Sequence, residues 1–273
     1  MRLLKQFVPV AVVAFGGNAI MGVVQGSPLL TLLFGVAMAA LAVFVYARTV
    51  RWSEGRTPAE VATQGAAGTV AKGALIGVAL FAAVIVSIAV VGGYRIDGLG
   101  SPAAAVGLLG VMAAVAVNEE LLFRGILFRI VEERIGTWPA LVLTSLLFGL
   151  SHLLNPHASL WGAIAIAIEA GSMLAAAYAA TRTLWVPIGV HFGWNFAAAG
   201  IFGAEVSGSG VAQGLLSGVT SGPAALTGGE FGPEASLFAV VAGLLLTVVF
   251  MRLARRRGNV VPFRRGADAT LAR

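Results

Sequence analysis

The chain has 273 residues, 58% of them hydrophobic and 11% charged, whereas a soluble domain carries about 25% charged residues. This excludes an ordinary soluble domain and points to an all-α, polytopic membrane protein. The absence of cysteine excludes disulfides and thiolate metal sites, and the net charge of +6 is distributed in a way that argues against a nucleic-acid partner.

A helix needs about 20 apolar residues to cross a bilayer. Eight segments qualify in one bundle: roughly 7–25, 28–47, 70–93, 102–131, 138–154, 158–180, 184–203 and 235–253. The first has no small-residue cleavage site and runs into the second, so no cleavable signal peptide is expected. Ser27-Pro28 and Ser101-Pro102 each set a capping hydroxyl before a proline at the first helical position. Thr57-Pro58-Ala59-Glu60 predicts a capping box opening a short surface helix. Segment 204–233 is rich in Gly and Ser, lacks Lys and Arg, and reads as a flexible outside loop. Residues 254–273 read as a basic cytoplasmic tail near anionic lipid. Trp138, Trp161 and Trp185 stand near span ends, where an interfacial aromatic belt is expected. Residues 1–273 form a single membrane domain.

With the N-terminus in the cytoplasm and eight spans, 17 of the 18 Lys and Arg residues fall on the cytoplasmic side, Arg95 alone outside. This is the positive-inside pattern, with both termini cytoplasmic. It accounts for the positive charge through the lipid bilayer as partner, with no nucleic acid.

Ionisable groups inside spans are expensive and mark function by default. The spans hold Glu119, Glu120 and Arg124 on the fourth, His152 on the fifth, Glu169 on the sixth, and His191 and Asn195 on the seventh. Glu120 and Arg124 are i and i+4, one face of a helix, and predict an intrahelical ion pair. Glu119 points about 100° away and is free to face another surface. Spans four and five should form a hairpin turning near Gly136-Thr137. Glu119 and His152 then lie about 25 and 23 Å from the turn, level across it. Phe148, one helical turn from His152, is positioned to wall the same pocket. His191 and Asn195 again share a face, and Gly189 and Gly193 allow a neighbouring backbone to approach. The bland alternatives are charges pairing near a helix end and a His/Asn pair serving as interhelical glue. Glu169 reads as a structural or supporting residue, and His157 as a solvated turn residue.

A carboxylate and a histidine on facing helices can deprotonate a water. A second histidine and an asparagine amide can donate to a developing oxyanion. The set suits amide hydrolysis. Glu119, His152 and His191 would equally serve as ligands of a catalytic zinc. No H-E-x-x-H motif, cysteine nucleophile or G-x-S-x-G motif is present.

The stretches E119-E-L-L-F-R124, F148-G-L-S-H152 and H191-F-G-W-N195 resemble the three motifs of the CAAX protease and bacteriocin-processing (CPBP, or Abi) family, E-E-x-x-x-R, F-x-x-x-H and H-x-x-x-N. The likeness covers a core of residues 103–202. It implies an eight-helix intramembrane endopeptidase, similar to the type II enzyme that trims prenylated CAAX proteins, in a bacterial plasma membrane with its site open to the cytoplasm. The resemblance implies that Glu119 and His152 activate water, that His191 and Asn195 stabilise the oxyanion, and that Glu120 and Arg124 support them. Family members are described both as metalloproteases and as metal-free glutamate enzymes, so the zinc stays open. The substrates would be peptides or proteins at the membrane. The competing readings are a non-proteolytic scaffold or bacteriocin-immunity-type protein that keeps the fold, and a small proton-coupled transporter. No inverted repeat of broken helices supports the transporter.

Overall fold

The structure, a computed structural model, describes residues 1–210 and 214–263. Two long apolar helices come first, α1 (Arg2–Val24) and α2 (Pro28–Glu54), followed by α3 (Ala66–Val90). A short strand β1 (Tyr94–Leu99) leads to α4 (Pro102–Glu120), which continues through a π-helical stretch, Leu121–Phe128, into α5 (Arg129–Ile135). Helix α6 (Thr137–Ser151) comes next. It is succeeded by α7 (Leu160–Ile166), joined by a second π-helical stretch, Ala167–Gly171, to α8 (Ser172–Thr181). Helix α9 (Trp185–Asn195) passes into a third such stretch, Phe196–Ile201. Strand β2 (Leu216–Thr220), a short α10 (Ala224–Thr227) and α11 (Leu237–Arg256) complete the described chain.

Among the described residues, seven helical segments are long and apolar enough to cross a membrane. The eighth expected span, α9 with its π-helical end, is shorter and carries His191 and Asn195. The serine caps form as expected: Ser27 and Ser101 accept from the backbone N–H groups of Leu30 and Ala104. The capping box at Thr57 does not. Glu60 instead turns inward, where it accepts from the Tyr46 hydroxyl at 2.6 Å and from Arg56 at 2.8 Å. Two strong donors outcompete a local backbone bond. Burial alone would raise the Glu60 carboxyl, but these bonds outweigh it and hold it below the ordinary carboxylate range.

Segment 204–233, read from composition as a loop, carries more structure than that. β2 pairs antiparallel with β1, Tyr94 opposite Thr220, and the Tyr94 hydroxyl donates to the Phe202 carbonyl at 2.7 Å. The basic tail from residue 264 onward lies outside the described residues.

Polar contacts gather the helix ends into two groups. At one end Arg129 pairs with Glu54 and donates to Gln6, Arg2 pairs with Glu133, and Arg182 pairs with Glu132. At the other end lie the two-stranded sheet, the α6–α7 turn and the residues leading into α11, tied by His157 N–H to the Gly208 carbonyl and by Trp161 Nε1 to the Ala235 carbonyl. Arg2, Arg129 and Arg182 therefore meet at one end of the bundle.

Two glycine contacts set the helix spacing around the polar residues. A Cβ at Gly35 would overlap the Gly110 carbonyl, where α2 crosses α4, and one at Gly193 would overlap the Ala74 carbonyl, where α3 crosses α9. In the bilayer such close backbone approach supplies the van der Waals contact that holds helices together.

Candidate active site

The fourth span delivers both glutamates where α4 ends and the π-helical stretch begins. π-Helical turns are rare and recur at functional sites. Here all three lie against a polar residue of the spans: Leu121–Phe128 directly follows Glu120, Ala167–Gly171 contains Glu169, and Phe196–Ile201 directly follows Asn195.

Glu120 is fully buried. Its Oε1 accepts from Arg124 at 2.7 Å, the i to i+4 pair anticipated from spacing, and also from His191 Nδ1 at 2.9 Å. Arg124, 2% exposed, donates as well to the carbonyls of Ala170 and Gly171, both at 3.2 Å. One guanidinium thus ties the fourth span to the π-helical turn of the sixth. A buried charge is tolerated only when it is paired and hydrogen-bonded; Glu120 meets this through Oε1, while its Oε2 is buried without a hydrogen-bond partner.

Glu119 is less buried, its side chain 28% exposed, with Oε2 at 3.9 Å from His191 Nε2. Helical phase alone separates the two glutamates and aims Glu119 at His152. In the structure they instead straddle the imidazole of His191, Glu120 at Nδ1 and Glu119 toward Nε2. The physical reason is that His191 stands at the seam between their two faces, so a turn of about 100° carries each carboxylate to a different nitrogen of the same ring.

His152 ends α6. Its Nδ1 lies 2.8 Å from the Phe148 carbonyl. A carbonyl only accepts, so Nδ1 carries a proton, and in the neutral ring Nε2 is the nitrogen with the lone pair. Phe148, 1% exposed, sits at the centre of the polar groups. Its ring centroid is 4.9 Å from that of His152 and 6.2 Å from that of His191, and the Arg124 guanidinium carbon is 4.4 Å from it. Phe123 meets it edge-on at 5.0 Å. Phe148 therefore fixes the relative positions of three site residues by aromatic and cation–π contact.

His152, His191, Asn195 and Phe148 line one narrow cavity, together with Ser207 and Glu234. It has room for about one water molecule. Glu119 is not part of its lining; it stands behind His191. Glu169 does not line it either. Its carboxyl is fully buried with no hydrogen-bond partner on either oxygen, and its backbone packs against Gly243 of α11. Among the described residues no three His, Asp or Glu side chains form a group that could hold a metal ion. Glu119, His152 and His191 therefore do not fit a zinc site in this arrangement.

Ser207 and Glu234 escape the sequence motifs. Glu234, 1% exposed, accepts from Trp194 Nε1 at 2.8 Å and from the Ser207 hydroxyl at 2.7 Å, as well as from the Ser207 backbone N–H. Burial pushes its carboxyl up, against the opposing pull of the Ser207 and Trp194 hydrogen bonds and of nearby His152. The one sequence signal is its place in Gly232-Pro233-Glu234, an acid at the lip of a span with no basic residue near it.

Residues 101–197 match the family described as type II CAAX prenyl endopeptidase Rce1-like. The matched segment opens on Ser101, the cap of α4, and closes just beyond Asn195, so it holds all three motifs. The match supports the resemblance drawn from those motifs and, with it, a peptidase. No curated protein and no solved structure matches the chain.

Proposed function

We propose that this chain, whose core matches a family of endopeptidases, is an intramembrane protease of the CPBP type that hydrolyses peptide bonds of membrane-associated peptides or proteins. The observation that carries the reading is the single cavity lined by His152, His191 and Asn195, with Glu119 against His191. His152 takes the proton of a water through its free Nε2, and Glu119, outside the cavity lining, acts on the site through His191 Nε2, 3.9 Å away. The water oxygen adds to the scissile carbonyl carbon. The Asn195 amide and His191 Nε2, once it holds a second proton, donate to the oxyanion. As the C–N bond breaks, the abstracted proton passes to the leaving amine. Glu120 and Arg124 hold His191 in place, and Phe148 holds His152 and His191 apart.

The charge asymmetry favours cytoplasmic termini in a bacterial plasma membrane. The site would open toward the cytoplasm, the expectation from sequence, once the cavity widens: Phe148, Arg124 and Glu234 around it are 1%, 2% and 1% exposed. Ser207 and Glu234 form part of its wall.

Profiling peptide cleavage in membranes holding the wild-type chain or Glu119→Ala tests the activity. Cleavage should be lost with the variant still inserted, and full activity in the variant would refute the mechanism. An intact catalytic set argues against the non-proteolytic scaffold, which has no need of it.

A further inference from the structure

Glu234 lies well outside the matched segment and outside all three motifs, yet its carboxylate reaches the cavity wall. Its bonds join three parts of the chain. Trp194, which donates to one oxygen, precedes Asn195 on α9. Ser207, which donates to the other from both hydroxyl and backbone, belongs to the turn that leaves α9. Glu234 itself stands just before Ser236, the residue that caps α11. The Ser207 backbone has a φ of +51°, a conformation that a residue with a Cβ avoids unless its surroundings impose it. Glu234 supplies part of that imposition. Asn155 Nδ2 adds to it, donating to the Ser207 carbonyl at 2.6 Å, as do the backbone bonds of Gly208 and Ser209.

We infer that Glu234 is a positioning residue of the cavity: it clamps the Ser207 turn against Trp194 and so forms the wall that faces His152 and Asn195, a wall that must give way for a peptide to enter. A space for about one water cannot hold a peptide segment, and the hydrogen-bonded Ser207 turn is the part of its wall not built from a packed helix. The consequence for substrate entry rests on the peptidase reading; the clamp itself does not.

The absence of native cysteine allows a test that needs no turnover. Ala170→Cys places a thiol on the cavity wall, and Ala42→Cys places a control in the packed core around α2. The full-length protein is labelled in detergent with a small methanethiosulfonate. Adding Glu234→Gln should speed labelling at position 170 by about tenfold or more, as expected for weakening a charge-assisted hydrogen bond that resists opening. Labelling at position 42 should stay slow. Trp194→Phe, which keeps an aromatic ring but loses the donor, should give a smaller rise at 170, and Glu234→Asp should restore part of the protection. Unchanged labelling at 170 in Glu234→Gln overturns the proposal, as does an equal rise at 42, which would mark general loosening. If Glu234→Gln does not fold, Trp194→Phe and Ser207→Ala carry the test by the same comparison. Loss of peptidase activity in none of the site variants would overturn the functional reading and leave the clamp standing.

Discussion

Replacing Arg124 by alanine should expose how the site is held together. The guanidinium donates to Glu120 at 2.7 Å and to two carbonyls of the sixth span at 3.2 Å, and its carbon stands 4.4 Å from the Phe148 ring centroid. Removal leaves Glu120, with no exposed surface, paired only with His191. Breaking a buried pair by deleting one partner costs about 3–5 kcal/mol. The cation–π contact adds about 0.5–2 kcal/mol. These terms overlap, so a loss of about 4 kcal/mol is expected. The double variant Arg124→Leu with Glu120→Leu removes both charges and should cost less than Arg124→Ala alone, because no stranded charge remains. The assay is thermal unfolding in detergent, run as a double-mutant cycle. A cost below about 1 kcal/mol for Arg124→Ala, the range of a surface ion pair, would refute the claim that this residue anchors the site.

Three further outcomes can be checked. Asn195→Ala should lower kcat by about 10²–10³-fold, the effect of losing one oxyanion donor, with KM little changed in steady-state cleavage assays; an unaltered kcat would remove that role. Gly193→Val should abolish the α3–α9 contact, because even a Cβ overlaps the Ala74 carbonyl, and the monodisperse folded peak in detergent chromatography should be lost. Stability should fall in acid through Glu60. Its folded carboxyl sits lower than the unfolded value of about 4.3, so the unfolded chain binds the extra proton between the two values and stability rises with pH across that window. Above the unfolded value the contribution is complete, and it disappears as pH drops through the folded value. Arg56→Gln should flatten this dependence in thermal scans across the acid range.

The features legible in the sequence are those that periodicity and hydropathy encode. Apolar runs locate the spans, serine before proline locates two helix starts, and the i to i+4 rule anticipates the contact between Glu120 and Arg124. The depth argument rests on rise per residue alone and leads to one hairpin level, the level at which Phe148 meets Phe123, Arg124 and His152. Contacts between distant segments are not legible. Glu234 meets Trp194 and Ser207 across 40 and 27 residues, and no local pattern announces such a pairing. The β1–β2 pairing is hidden for a related reason: only the first residue of β1, Tyr94, is buried, so β1 lacks the alternation that marks a half-buried strand. Glu60 misleads because a capping pattern is also a buried acid when an arginine and a tyrosine are near.

The π-helical stretch Leu121–Phe128 has a consequence for how this protein tolerates change in length. A π turn holds one residue more than an α turn, so it sets the angular phase between α4 on one side and α5 on the other. On the α4 side Glu120 faces His191; on the α5 side Arg129 faces Gln6 and Glu54. Inserting a further residue between them, beyond the one the wide turn absorbs, would rotate one group by about 100° relative to the other. The chain would stay apolar and helical, yet only one of its two polar networks could close. Within this span, length is therefore a coded quantity: a lineage can exchange one apolar residue for another here far more readily than it can gain one.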